Sequence, residues 1–184
     1  MKVLISWAGM IAHDWITLVI NEYFNQMNSP RRIELYYKDN VDDKELVWTN
    51  HNRCRSFEIE LFYRMFDKVI YIIRDPVNAM YIHYFWKGGE LDQEFFKSFV
   101  DMHLTDYACH VIAHKSKADV VMSFESLAND VNYFIGLMKH FDSNINEEVF
   151  TDVYYKIRPI QLDLSNFPQE LIDYIRNKWS DLVD

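Results

Sequence analysis

Residues 68–73 read Lys-Val-Ile-Tyr-Ile-Ile, an apolar run with no polar alternation after Lys68, and the chain then turns polar at once with Arg74-Asp75-Pro76. A strand that is apolar on both faces must be covered on both faces, which asks for a parallel sheet with helices on either side. Pro76 fits the first turn of a following helix, because the N–H it lacks would have no intrahelical partner there. The remaining question is why the end of a buried strand should carry a guanidinium.

The rest of the chain repeats this alternation. Residues 2–7 (KVLISW), 32–37 (RIELYY), 46–50 (LVWTN) and 118–124 (ADVVMSF) read as further strands. Between them the apolar period becomes helical. Ile11, Trp15, Leu18, Val19, Tyr23 and Phe24 predict a helix from Met10 to about Met27. A second is predicted from Ser56 to Phe66, others from Pro76 and over 93–114, and one more begins at Glu125 in ESLANDVNYFIGLMKHF. From Asn144 onward the pattern predicts helices around the turn DLSNFPQE. Strands separated by helices predict one open α/β domain over residues 1–184, three-layered, with a mainly parallel sheet.

Composition narrows the function classes. A net charge of −9 opposes broad binding to nucleic acid or to an anionic membrane surface, although one local arginine can still hold a small anion. Two cysteines make neither a disulfide framework nor a metal motif, and they fit a reduced, cytoplasmic setting. No apolar run reaches membrane-spanning length. His110 and His114 share a helix face at a spacing that can bind zinc, but no third ligand accompanies them in sequence, so no metal is expected.

In open α/β sheets ligands collect beyond the carboxyl ends of the strands. Those ends supply Trp7 to Asp14, Thr49 to Asn52, Arg74 with Asp75, and Phe124 with Glu125. Arg74 suits bidentate recognition of a phosphate. The turn from Ala8 to His13 offers backbone N–H groups at a helix start, a setting that favours anions, and a protonated His13 would add positive charge. His51 has an imidazole able to act as a general base near neutral pH. Glu125 reads as an anchor that accepts backbone hydrogen bonds.

These segments resemble the sulfotransferase family, a branch of the P-loop nucleotide-binding α/β fold. KVIYIIRDPVNAMYIHYFW is similar to the family's strand ending in Arg-Asn/Asp-Pro before a helix. ADVVMSFESLANDVNYFIGLMKHF resembles its later strand and helix, and VWTNH its strand ending in Lys-Thr-His. LISWAGMIAHDWITLVINEYF resembles its first strand, phosphate turn and first helix. The resemblance implies transfer of a sulfuryl group from 3′-phosphoadenosine 5′-phosphosulfate (PAPS) to a hydroxyl or amine of a small-molecule or glycan acceptor. The product nucleotide is then adenosine 3′,5′-bisphosphate (PAP). It further implies that Arg74 contacts the 3′-phosphate, that His51 is the general base, and that Trp15 packs on the adenine. Gly9, Ala12 and His13 then belong to the turn around the 5′ group.

The aligned turn departs from the family pattern. Met10 stands in place of its basic residue, Ala12 in place of glycine, and Asp14 adds an acid; Ile82 replaces a serine that shares the 3′-phosphate. Two further readings therefore stand beside the enzyme: a protein of this fold that has lost donor binding and serves as a binding or scaffold module, and a nucleotide kinase of the same broad fold. The kinase reading lacks the lysine and Ser/Thr of a triphosphate loop.

Overall fold

The computed structural model describes residues 1–7, 13–35, 46–50, 56–86, 90–159 and 162–183. In chain order the elements are β1 (Val3–Trp7), α1 (His13–Gln26), β2 (Glu34–Leu35), β3 (Leu46–Asn50), α2 (Ser56–Tyr63), β4 (Lys68–Ile73) and α3 (Pro76–Phe85). They continue with α4 (Gln93–Lys115), β5 (Val120–Ser123), α5 (Phe124–Asn129), α6 (Val131–Met138), α7 (Glu147–Lys156) and α8 (Gln169–Val183).

The sheet has five strands in the order β2-β3-β1-β4-β5, and every pairing is parallel. Register brings the carboxyl ends together: Trp7 lies opposite Asn50 and Ile72, and Ile73 opposite Ser123. Arg74 and Phe124 are therefore the first residues beyond two adjacent strand ends.

Helices cover both faces, as the unbroken apolar run of β4 requires. Val3, Ile5 and Trp7 join Ile70, Ile72 and Met122 in a core shared with α1, α5, α6 and α7. On the opposite face Leu4 and Val69 pack against Ile59 and Tyr63 of α2 and against Phe66. A further cluster binds α3, α4 and α8 through Met80, Tyr84, Phe96, Leu104, Leu171 and Ile175.

Several boundaries differ from the sequence expectation, each for a local reason. α2 stops at Tyr63, and Arg64 to Phe66 form a tight turn that returns the chain to the sheet, with Phe66 N–H donating to Tyr63 O. β5 is shorter than 118–124: it runs from Val120 to Ser123, and Ser123, its last residue, also caps α5, its Oγ accepting from Ser126 N–H at 3.2 Å. The long helix expected from Glu125 is two helices. Asp130 is extended (φ −133°, ψ 109°), and its carboxylate caps α6 through Asn132 N–H at 2.8 Å. A short acid that bonds its own backbone competes with helix continuation, which explains the break.

The α2/α4 face also buries polar groups. Tyr63 Oη lies 2.5 Å from His114 Nδ1, and Tyr71 Oη lies 2.8 Å from His110 Nδ1. The two imidazoles stack with centroids 4.0 Å apart at 14°, and Tyr71 stacks on His114 at 15°. In both histidines of this pair Nδ1 is engaged by a phenol. Among the described residues no three His, Cys, Asp or Glu side chains group so as to hold a metal ion.

Burial pushes the Tyr63 pKa up to about 12. A raised folded-state pKa means that the folded protein holds this proton more tightly than the unfolded chain does. The associated stability is then complete below pH ~10 and is lost as pH rises towards about 12. At roughly 1.4 kcal/mol per unit this amounts to about 2 to 3 kcal/mol. Urea midpoints at pH 9 and pH 11.5 should therefore fall further for the wild type than for Tyr63→Phe, and equal falls would remove Tyr63 as the cause.

Candidate functional site

The strand register leads to one polar site, at the carboxyl ends of β4 and β5. Arg74 is the first residue past β4, where the sheet can no longer satisfy its backbone. Tyr107, projecting from α4, does so instead. Its hydroxyl donates to Arg74 O at 2.7 Å and accepts from Arg74 N–H at 3.1 Å. Burial raises the Tyr107 pKa, and the nearby Glu125 charge adds to the rise, so this phenol keeps its proton.

The Arg74 residue is only 3% exposed. Its guanidinium carbon lies 4.3 Å from the centre of the Phe124 ring, and its Nε lies 3.8 Å from Glu125 Oε1. That separation is an ion pair and too long for a hydrogen bond. Nε and Nη1 have no hydrogen-bond partner among the described residues. Burial lowers the Arg74 pKa, and the charge of Glu125 is the largest effect opposing the fall. A buried charge with unfilled donors is expensive unless something meets it, and strand-end clefts are where such groups serve a ligand.

Asp75 does not pair with Arg74 in the way a bare strand-end acid would. It is the N-cap of α3, accepting from Val77 N–H at 2.9 Å and Asn78 N–H at 3.1 Å, with Pro76 in the first turn. Glu125, expected as an anchor, is one: Oε1 accepts from Asp75 N–H and from Asn78 Nδ2, both at 3.1 Å, and Oε2 accepts from Ser123 Oγ at 3.3 Å.

Two cavities adjoin this pair. A pocket of about 270 Å³ lies among Arg74, Asn78, Phe124, Glu125, Asn129 and Leu162. A larger cleft of about 940 Å³ runs along the β5 edge between α4 and α8, with mostly apolar walls that include Val111, Ile112, Val121 and Trp179. Arg74 and Glu125 line both.

The other residues picked out from sequence fall differently. Trp15 is 6% exposed and packs edge-on against Phe124, Phe134 and Tyr154. Its Nε1 donates to Ile157 O at 2.6 Å. That is the environment of a core ring, and Phe124 touches both it and Arg74. Trp7 is likewise fully buried. His13 opens α1, and its side chain lies outside the described residues, as do Gly9, Ala12 and His51. The residue that sequence reasoning missed is Tyr107. Its only signal was its place on the helix face that also carries His110, Val111 and His114, and such a phenol looks like any other core aromatic.

Removing the Tyr107 hydroxyl leaves a buried backbone N–H and C=O unpaired at the strand end. Tyr107→Phe should cost about 1 to 3 kcal/mol, read as a lower urea midpoint with an unchanged m-value. A midpoint equal to the wild type would show that the bridge contributes nothing.

Among the described residues no helix is long and apolar enough to cross a membrane. No family model matches this chain, and no curated protein sequence matches it.

Proposed function

We propose that this chain is a sulfotransferase-like enzyme that binds a 3′-phosphoadenosine nucleotide at the carboxyl ends of β1 and β4. One observation carries the reading: Arg74 is a buried arginine, just past a central strand, with Nε and Nη1 unfilled beside a cavity. Such a group fits an oxyanion, and the planar guanidinium suits a phosphate in particular. The parallel order β2-β3-β1-β4-β5 supports the same fold reading, because it sets β1 at the centre with β3 and β4 on either side. Ligands of open α/β sheets gather where the chain reverses its winding direction, and here that is at β1.

When bound, PAPS supplies the sulfuryl group that passes to an acceptor hydroxyl or amine. In this reading Arg74 holds the 3′-phosphate, and Tyr107 fixes the strand end from which Arg74 projects. Backbone N–H groups at the start of α1 face the 5′ group. His51 accepts the acceptor's proton as the new bond to sulfur forms. Trp15 stays in the core, and its influence reaches the nucleotide through Phe124.

A specific feature favours a second reading, that of a binding module of the same fold without transfer. Met10 and Ile82 stand where the family carries a basic residue and a serine for the two phosphates.

Thermal melting with PAP tests donor binding. At 100 times its dissociation constant the ligand should add about 2.7 kcal/mol, a shift of roughly 5 to 10 °C for a chain of this size. Arg74→Ala, shown to be folded by circular dichroism, should lose that shift. No shift at millimolar PAP would sink the nucleotide reading, and a full shift in the variant would remove Arg74 from it.

A further inference from the structure

The start of α3 is a ready anion site that the protein itself has filled. Three backbone N–H groups converge there, and two carboxylates consume them. Asp75 takes Val77 N–H and Asn78 N–H, and Glu125 takes Asp75 N–H together with the Asn78 amide. The second carboxylate comes from a different strand end, 50 residues along the chain, and lies 3.8 Å from Arg74 Nε. Its Oε1 thus faces a guanidinium, a helix N-terminus and a side-chain amide, which are the partners an external oxyanion would seek. The pocket of about 270 Å³ has the same residues Arg74, Asn78 and Glu125 in its wall.

We propose that Glu125 is the specificity-determining residue of this site: a resident anion that limits how much negative charge an incoming oxyanion can carry at Arg74. With Glu125 in place the pair is neutral, so its repulsion offsets the attraction of Arg74 for an anion, and the attraction forfeited is greater for a dianion than for a monoanion. A ligand phosphate must either share Arg74 against this field or displace the carboxylate from its three donors. The charge does the selecting, and the hydrogen bonds only hold it in position. Glutamine keeps an acceptor for Asp75 N–H and Asn78 Nδ2 while removing the charge, so the two roles separate in one substitution.

The experiment compares wild type, Glu125→Gln and the double variant Arg74→Gln/Glu125→Gln by isothermal titration and melting, with inorganic phosphate and with PAP. Only the PAP arm rests on the nucleotide reading. Glu125→Gln should melt somewhat lower without ligand yet bind phosphate and PAP at least tenfold more tightly, and the double variant should lose that gain. A purely structural carboxylate predicts the opposite, since loosening the site weakens binding. If wild type binds PAP and Glu125→Gln binds it equally or less well, the inference fails while the nucleotide reading stands. A phosphate gain in Glu125→Gln without any PAP binding supports the inference and rejects the nucleotide reading. Should none of the proteins bind either probe, both fall. If Glu125→Gln does not fold, Glu125→Asn, whose amide oxygen sits one methylene further back, repeats the comparison.

Discussion

A guanidinium is buried at the end of the interior strand β4, and the elements around it are arranged to meet the cost of that burial. Moving a charge out of water is unfavourable by several kcal/mol even after relaxation, and it is tolerated only where other groups compensate. Here the compensation comes from three residues on two helices. α4 contributes the Tyr107 hydroxyl that fixes the backbone, α5 contributes the Phe124 ring under the cation, and Glu125 contributes the opposing charge. The contacts of Phe124 and Glu125 depend on β4 and β5 being adjacent and in the register that puts Ile73 opposite Ser123. Sheet topology and site electrostatics are therefore one constraint described at two scales.

Much of the framework was legible in the sequence because it follows from strong local rules. The two-sided apolar run fixed β4 to the residue, and Pro76 fixed the start of α3. β3 also falls where its five residues suggested. Boundaries set by competition between a side chain and the backbone were harder to read. Asp130 and Ser123 could each have sat inside a regular element, and each instead caps a helix through a local side-chain bond. At the site, Arg74 and Glu125 announced themselves by position, since charged residues directly after apolar strands need a reason. Tyr107 did not, because its role depends on where α4 crosses the sheet, and residue spacing carries no information about that crossing. Trp15 could be read either as a platform for a base or as core, and three aromatic neighbours decide for the core.

The two sides of the sheet are built from different chemistry. The side under α1, α5, α6 and α7 is a conventional apolar and aromatic core. The side under α4 places two phenols and two imidazoles in a stacked, hydrogen-bonded set. Hydrogen bonds are directional and hydrophobic contacts are not, so this set specifies the rotation and axial position of α4 more tightly than packing alone would. Tyr107 lies on the same helix, less than one turn before His110. The polar set thus also holds the hydroxyl that bridges Arg74.

Phe124 is where these layers meet, with one contact to Trp15 in the aromatic core and another to the guanidinium of Arg74. Descendants of this chain cannot freely exchange interior volume for a different shape at that position, because any swap that satisfies the tryptophan also re-aims the arginine. Lineages that kept the charge should have kept the ring, and lineages that abandoned the charge would be the first in which that ring is free to drift.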